Sequence, residues 1–335
     1  MGTATALAQL LPVTLVAEIR ADPFAPFGLS MPETMRVVDL RRSFGIFISN
    51  SWFRFKFERL LKQLRPNLVY ARHGRLACEL AGKGHPVIYE VHEILRDKYP
   101  GRSEVSKQEA VISSAAKGII FISSKLRDRW HELYGQVRSA VIPSGTFYQE
   151  NLKKDLVRGR LDTIYYVGTP YYEWKGINIL FRALERIRGT RLVLVGDFSP
   201  EQVPETIRHR VDCLGHLPNK EARAVLNNAH ITVLPNSSET VTSRLYTSPL
   251  KLLEYMAART AIAASALPSV REIVTDREVL FFEPDNPAAL ARAIEELLQD
   301  EELRYRLAWS AWQKAARYSW EARANRIEGF VNFLL

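Results

Sequence analysis

The first half of the chain alternates short apolar runs with segments whose apolar residues recur at helical spacing. The runs are rich in Val and Ile, which indicates buried strands, and the amphipathic segments between them indicate helices. The predicted strands are 13–19, 35–40, 67–71, 86–91, 118–122 and 140–143. The predicted helices include 52–64 and 105–116. Strands that alternate with helices predict a parallel sheet that is covered on both faces.

The second half repeats this alternation after a polar, charged segment at 147–160. Its predicted strands are 163–167, 191–195, 211–214, 231–234, 261–264 and 280–282. Its predicted helices are 177–187, 204–211, 220–228, 248–258, 287–299 and 302–318. The chain is therefore predicted to be an α/β protein with two doubly wound, Rossmann-like domains, over residues 1–150 and 151–318. Ligands are expected at the carboxyl ends of the strands, in a central cleft that both sheets face.

The beginning of the chain departs from the usual order of such a domain. Residues 1–9 already have a helical pattern, and the first predicted strand follows them. A doubly wound domain normally opens with a strand and a glycine-containing loop before its first helix. The first strand is thus absent from the pattern, which leaves three explanations. The chain is truncated, its start is misassigned, or the domain folds without that strand.

The net charge of +9 is unevenly distributed along the chain. Residues 1–160 hold 25 Lys and Arg against 15 Asp and Glu, whereas residues 161–335 hold 21 against 22. A basic first half favours an anionic partner, which is a membrane surface, a nucleic acid or an anionic acceptor molecule. A solvated basic surface without a partner is the alternative.

The two cysteines, Cys78 and Cys213, are far apart and lack metal-ligand spacing, which indicates a reducing compartment. No apolar run is long enough to span a bilayer, and the N-terminus lacks the pattern of a secretory signal. These observations predict a cytoplasmic protein. The sequence also lacks the motifs of phosphate loops, zinc hydrolases and Asp-x-Asp metal sites.

The segment 246–258 contains a pattern typical of an anion-binding helix. Ser248 is predicted to cap the helix, with Pro249 at its first position. The free N–H groups of a helix N-terminus favour a phosphate, and Lys251 adds a positive charge one turn in. Glu254, three residues later, could accept hydrogen bonds from sugar hydroxyls. The alternative is a surface helix with an ordinary Lys–Glu pair.

A series of short motifs resembles family 4 (group 1) of the glycosyltransferases, retaining enzymes of GT-B fold that use nucleotide sugars. The motifs occur in the family's order and cover nearly all of the second half, but the first half only loosely. They are VIPSG at 141–145, YVG at 166–168, WKG at 174–176, LVLVGD at 192–197, LGHL at 214–217, LPN at 234–236, SPLKLLEYMA at 248–257, and SW at 319–320.

This resemblance implies transfer of a sugar from a nucleotide diphosphate sugar to a hydroxyl of a glycan or a lipid-linked acceptor, without a metal or a further cofactor. The second domain would bind the donor, and the basic first domain would bind the acceptor. The final helix, 319–335, would cross back to the first domain. A peripheral contact with an anionic membrane is expected, and a nucleic acid partner is not.

By the same resemblance, Lys175 and Lys251 would contact the diphosphate and stabilise the departing nucleotide, and Glu254 would bind the ribose. Backbone groups would complete the donor site at Gly168, Gly176, Gly215, Ser248 and Leu250. In the first domain His92, at the carboxyl end of a strand, would act at the reacting centre. A buried structural histidine is the alternative for His92, and Glu93, Arg72 and His73 are weaker candidates.

Two positions depart from the family's pattern. Tyr246 stands where the first of two glutamates is common, and Thr169 stands where many relatives have arginine. Glu239 is a candidate substitute for the glutamate, although the favoured interpretation is an ordinary loop carboxylate. Lys251 is the candidate substitute for the arginine. The missing glutamate and the missing first strand motivate an alternative function, a nucleotide-sugar-binding or partner subunit without catalysis and with a basic, membrane-facing surface.

The segment 51–66 interleaves aromatic and basic residues, including Trp52, Phe53, Arg54 and Phe57. A basic helix with aromatic residues suits an anionic lipid interface. The favoured interpretation is nevertheless a domain helix whose aromatic side chains pack in the core. An RNA-binding signature does not accompany the segment.

Overall fold

The computed structural model describes residues 1–17, 21–40, 49–152, 154, 159 and 161–335, with the side chains of residues 49–54 excepted. The chain divides into two compact units. Unit 1 comprises Met1–Ile142 together with Ala324–Leu335, and unit 2 comprises Pro143–Arg323. Residues 18 and 19 of the first predicted strand lie outside the described residues.

Unit 1 contains two parallel sheets. Strands β1 and β2 pair with each other in register Val13↔Met35, and the second sheet has the order β3-β4-β5-β6. The elements in chain order are α1 (Gly2–Ala8), β1 (Val13–Ala17), β2 (Met35–Asp39), α2 (Ser49–Leu64), β3 (Val69–Ala71), α3 (Gly74–Gly82), β4 (Val87–Val91), α4 (Leu95–Lys98), α5 (Ser103–Ala115), β5 (Gly118–Phe121), α6 (Ser124–Tyr134) and β6 (Ser139–Val141).

Unit 2 contains one parallel sheet of six strands with the order β12-β11-β10-β7-β8-β9. Its elements are β7 (Thr163–Val167), α7 (Ile177–Arg186), β8 (Arg191–Val195), α8 (Glu205–Arg208), β9 (Val211–Cys213), α9 (Asn219–Asn228), β10 (Ile231–Leu234), α10 (Leu250–Ala257), β11 (Ala261–Ser265), α11 (Pro268–Arg271), β12 (Leu280–Phe282), α12 (Pro287–Gln299), α13 (Glu301–Ala315) and α14 (Trp320–Leu334), the last of which continues into unit 1.

The strand order of unit 2 is that of a doubly wound Rossmann sheet. The first three strands run outward in one direction from β7, and the next three run outward in the other direction from β10. The carboxyl ends of β7 and β10, where the strand order reverses, are the place at which such sheets bind ligands. The helices cover the sheet with apolar side chains that are almost fully buried, such as Leu180 and Leu184 of α7 and Leu253 and Met256 of α10.

The end of α14 packs within unit 1. Phe330 and Leu334 join Ile88 and Ile120 in one apolar cluster. Gly118, at the start of β5, makes this contact close, since a Cβ there would lie 2.5 Å from a methyl carbon of Leu334.

The predicted strands are all present, with ends that differ by no more than two residues. The predicted helix over 204–211 shortens to the single turn Glu205–Arg208, because β9 begins at Val211. The prediction that Ser248 caps helix α10 is wrong. Pro249 occupies the N-cap position of α10, and the Ser248 hydroxyl instead accepts the N–H of Ser144 at 3.1 Å.

Candidate functional site

The loops after β7 and β10 are joined at the point where the strand order of unit 2 reverses. The N–H of Ser237, after β10, donates to the carbonyl of Trp174, after β7, at 2.8 Å. Gly176 has a φ of 70°, and a Cβ on it would lie 1.8 Å from the carbonyl oxygen of Pro235. Only glycine fits there, both for its backbone angle and for space. This contact fixes the turn that carries Lys175.

Helix α10 is attached to the end of β7. The Tyr255 hydroxyl, which is fully buried, accepts the N–H of Val167 at 3.0 Å and lies 3.3 Å from the Val167 carbonyl. Burial raises the pKa of this phenol well above its ordinary value, so it stays protonated. The charge of Lys251, in the first turn of α10, acts on the pKa of Lys175, so the N-terminus of the helix lies near the turn of Lys175. No described side chain caps that N-terminus, so its first N–H groups can bind an anion.

Lys251 and Glu254 form an ion pair on α10, with 2.9 Å between Nζ and Oε2. The Lys175 ammonium lies 4.1 Å from the centroid of the Trp174 indole ring. Burial and the charge of Lys251 lower the pKa of Lys175 to about 8, against the opposing effect of Glu254. Two ammonium groups that repel each other thus share one carboxylate. An anion placed between them would relieve this repulsion.

A fourth charged side chain, that of Arg223 on α9, belongs to the same group. Its guanidinium carbon lies 4.0 Å from the centroid of the Phe147 ring. Burial lowers the pKa of Arg223, whereas the charge of Glu254 raises it, so the two side chains interact electrically. Motif reasoning missed Arg223, because in sequence it is one more basic residue on an amphipathic helix.

Glycines follow the ends of three neighbouring strands. A Cβ on Gly196, after β8, would lie 1.7 Å from the carbonyl oxygen of Gly168, after β7. The N–H of Gly196 donates to the carbonyl of Gly215, after β9, at 2.9 Å. Gly215 itself borders open space. The predicted residues Gly168 and Gly215 are therefore connected through Gly196, which sequence reasoning did not select, and the three glycines form one edge of backbone after β7, β8 and β9.

The remaining predicted residues of unit 2 lie in different environments. Leu250, the first residue of α10, is 47% exposed. Ser248 is buried and bound to Ser144. Tyr246 is buried at the end of a π-helical turn, Thr242–Tyr246. Glu239 is an exposed loop residue.

In unit 1, His92 follows β4 and interacts with an acid two residues earlier. Its Nε2 lies 2.5 Å from Oε1 of Glu90, whose side chain is almost fully buried. The Tyr70 hydroxyl donates to the other oxygen of Glu90, and Nε of Arg72 lies 3.7 Å from Oε1. The His92 side chain is 32% exposed and thus only partly buried, and its role at the reacting centre stays a prediction.

Of the three weaker candidates in unit 1, one contacts Glu90 and the other two make local structural contacts. Arg72 belongs to the group around Glu90. His73 caps α3, since its Nδ1 accepts the N–H of Leu76 at 3.4 Å. Glu93 forms an ion pair with Lys98 at 2.6 Å.

Helix α2 buries part of its aromatic face. Phe57 and Leu61 are 6% exposed, whereas Phe55 is 56% exposed. The side chains of Trp52, Phe53 and Arg54 lie outside the described residues. The core interpretation therefore holds for Phe57, and the lipid interpretation stays a prediction for the others.

Across the described part of the chain, no helix combines the length and the apolar character that crossing a membrane requires. Within the same residues, no group of three or more His, Cys, Asp or Glu side chains is arranged to hold a metal ion.

A family model matches each half of the chain. Residues 3–146 match the family model "Glycosyltransferase Family 4", and residues 162–300 match "Glycosyl transferases group 1". Similar curated proteins are the D-inositol 3-phosphate glycosyltransferase of Corynebacterium glutamicum (27% identical, 48% of this chain and 40% of the relative) and the phosphatidyl-myo-inositol mannosyltransferase of Mycobacterium leprae (28% identical, 49% of this chain and 45% of the relative). The matches span less than half of the length of these relatives.

Solved structures show the same fold. Sucrose-phosphate synthase from Thermosynechococcus elongatus has a TM-score of 0.75 at 19% identity and covers 99% of this chain and 91% of its own. Anabaena HepE in complex with UDP and glucose has a TM-score of 0.76 at 15% identity, and the match covers 98% of this chain and 95% of the HepE chain. The fold is therefore GT-B, with two Rossmann-like domains. With one family model matching each half, the chain belongs to the family 4 (group 1) glycosyltransferases.

Proposed function

We propose that the protein is a retaining glycosyltransferase. It moves a sugar from a nucleotide diphosphate sugar to a hydroxyl of a glycan or of a lipid-linked acceptor. The observation that carries this proposal is the group formed by Lys175, Lys251 and Glu254, which lies where the strand order of unit 2 reverses. Two cations beside an uncapped helix N-terminus match a diphosphate, and the carboxylate matches a diol.

Each side chain of this group has a distinct proposed role. Lys175 and Lys251 neutralise the charge that develops on the nucleotide diphosphate as the glycosidic bond to the sugar breaks. Glu254 accepts hydrogen bonds from the ribose hydroxyls. The backbone edge at Gly168 and Gly215 allows the nucleotide to approach closely. Retention of the anomeric configuration rests on the family to which the chain belongs.

The relatives suggest which ligands to test first. HepE was solved with UDP and glucose, and the curated relatives are named for an inositol phosphate and for phosphatidyl-myo-inositol. UDP, GDP and ADP sugars are therefore compared by thermal unfolding. A ligand at a hundred times its dissociation constant stabilises the protein by about 2.7 kcal/mol.

Turnover of the best donor then tests catalysis, measured with and without membrane extract as the source of acceptor. Lys251→Ala is expected to lower kcat by about 100-fold or more, and Glu254→Ala to weaken donor binding. Lys314→Ala is the matched control, because Lys314 and Glu278 form an ion pair of similar burial elsewhere in unit 2, 3.1 Å apart. An equal loss in the control would show that the losses come from stability rather than from the site.

A second function, a nucleotide-sugar-binding or partner subunit without catalysis, is supported by one observation. Tyr246 is buried at the position where relatives commonly have a glutamate, so this position has no carboxylate that could contact the donor sugar. This function predicts donor binding without any turnover, whichever acceptor extract is supplied.

Metal independence is part of the main proposal. The ammonium groups of Lys175 and Lys251 take the role that a divalent cation has in other sugar-nucleotide sites. Turnover should therefore be the same in excess chelator and in added Mg²⁺. A turnover that requires the metal would contradict this part.

The basic first half supports peripheral association with an anionic membrane, on its cytoplasmic side, where a lipid-linked acceptor would be found. Flotation with vesicles of phosphatidylcholine and phosphatidylserine tests this location. Binding is expected at low salt and should fall as salt rises, because the attraction is screened. Absence of salt-sensitive binding would contradict it.

A further inference from the structure

Strand β4 contains one residue that its surroundings do not explain. Val87, Ile88 and Val91 are not exposed at all, and Glu90 lies among them at 3% exposure. Strand β4 is also internal to its sheet, between β3 and β5. Burying a carboxylate is costly even when it is paired, and an apolar residue in its place is often as stable or more stable. Stability of the sheet therefore gives no reason for an acid at this position.

The position of Glu90 relative to His92 suggests a reason. Residues two apart in a strand point to the same face, and His92 follows directly at the carboxyl end of β4. The contact is short, at 2.5 Å from Nε2 to Oε1. An ionised Glu90 can only accept, so the tautomer that fits this contact carries its proton on Nε2. The other ring nitrogen, Nδ1, then remains for a ligand.

The neighbours of Glu90 keep its carboxylate in place. The Tyr70 hydroxyl, from β3, donates to Oε2, and Arg72 approaches Oε1 from the end of the same strand. One oxygen is thus held by the phenol, and the other is directed at the histidine. This arrangement resembles the way in which an acid orients a histidine ligand or base in many enzyme sites, fixing both the ring plane and the tautomer.

We propose that Glu90 is a positioning residue, which holds the His92 imidazole with Nε2 protonated and presents Nδ1 to a sugar hydroxyl of the bound substrate. The inference deepens the proposed function and rests on it, because His92 needs a substrate on which to act. The ring is 32% exposed, which leaves it accessible from one side while its Nε2 edge contacts a buried acid. Glu90 acts only through His92.

The first test observes the contact itself in the full-length protein. Proton–nitrogen spectra of protein with ¹⁵N-labelled histidine are recorded at a pH where the ring is neutral, and His92 is assigned by the signals missing from His92→Asn. We expect an Nε2–H resonance protected from exchange with water in the wild-type protein, retained in Tyr70→Phe and lost in Glu90→Leu. A proton on Nδ1 in the wild type, or a resonance that persists in Glu90→Leu, would overturn the proposal.

The second test separates positioning from folding. Glu90→Leu is expected to lower kcat by about 10- to 100-fold, with the KM for the nucleotide sugar changed less than threefold. Glu90→Gln should recover part of this loss, because its amide oxygen can still accept from Nε2–H. Glu109→Gln is the matched control. Glu109 is an equally buried acid of unit 1, which accepts from the Leu95 N–H and the Tyr134 hydroxyl, both at 2.7 Å. We expect it to change kcat less than threefold.

The outcomes distinguish this inference from the proposed function. If the wild-type protein transfers no sugar, the proposed function fails, while the resonance still decides whether Glu90 holds His92. If the resonance behaves as expected but kcat is the same in Glu90→Leu as in the wild type, the positioning role is overturned and glycosyl transfer stands.

Discussion

The two groups of charged side chains, around Glu90 in unit 1 and around Glu254 in unit 2, differ in how their charges are balanced. In the first group, in unit 1, the buried acid Glu90 is surrounded by Tyr70, Arg72 and His92. In unit 2 a single acid, Glu254, interacts with several cations, of which Lys175 and Lys251 repel each other. The acid of the first group has its charge and hydrogen bonds matched within unit 1, whereas the second group has excess positive charge. The second group is therefore suited to bind an anion, and the first to hold one of its own side chains in place.

The largest expected effect concerns the turn that supports the cationic group. Gly176→Ala would place a Cβ 1.8 Å from the Pro235 carbonyl oxygen, so the loops after β7 and β10 must separate. We expect the free energy of unfolding to fall by about 3–5 kcal/mol and nucleotide binding to be lost. Chemical denaturation measures the first effect, and calorimetric titration with UDP the second.

Gly189→Ala is the control for this substitution. Gly189 has the same φ of 70°, but a Cβ there would meet nothing within 4 Å. Only the backbone angle is then unfavourable, which costs about 1–2 kcal/mol. Equal losses in the two variants would show that the contact with Pro235 does not support the site.

A second prediction contrasts stability with binding at Lys175. Lys175→Met removes an ammonium group that burial and Lys251 disfavour, so the free energy of unfolding should rise by about 1 kcal/mol. Binding of UDP should nevertheless weaken by about 10- to 100-fold, since a charged hydrogen bond is lost. A site that existed only for stability would respond in the opposite direction.

Lys314→Met is the matched control for Lys175→Met. Lys314 pairs with Glu278. Burial raises the pKa of that acid, but the hydrogen bonds from Thr275 and the pairing with Lys314 lower it overall, so loss of the ion pair should cost about 1 kcal/mol. Binding of UDP should not change. The same substitution thus has opposite effects on stability at the two lysines if Lys175 belongs to an anion site.

The sequence was sufficient for the framework of both units but not for the two charged groups. Apolar periodicity located the twelve predicted strands, and motifs located Lys175, Lys251 and Glu254. The contacts of Glu90 and Arg223 were not predictable, since they join side chains that different strands and helices bring together. Ser248 shows the same limit. Its local pattern predicts a helix cap, whereas its hydroxyl accepts the backbone N–H of Ser144, 104 positions earlier.

A third prediction concerns the attachment of α10 to β7. Tyr255→Phe removes the hydroxyl that accepts the Val167 N–H, in a fully buried environment. An unsatisfied buried donor costs about 1–3 kcal/mol, so the free energy of unfolding should fall by that amount. Binding of UDP should weaken less than in Lys175→Met, because both lysines remain. A larger loss of binding than of stability would show that Tyr255 does more than anchor the helix.

The smallest expected effect is a pH dependence that only the cationic group should have. Lys175 must be protonated to neutralise a diphosphate, and its pKa in the free protein is lowered to about 8. Above that pH the lysine is mostly neutral before binding, so binding must take up a proton, and the affinity for UDP should fall about fourfold between about pH 7 and pH 8.5. Lys175→Met should lose this fall in affinity, because the ammonium whose pKa is lowered to about 8 is then absent. Calorimetric titration in two buffers of different ionisation enthalpy measures the proton uptake directly. Uptake that is the same in Lys175→Met would assign the titration to another group, and the contrast between the two units would then lose its electrostatic basis.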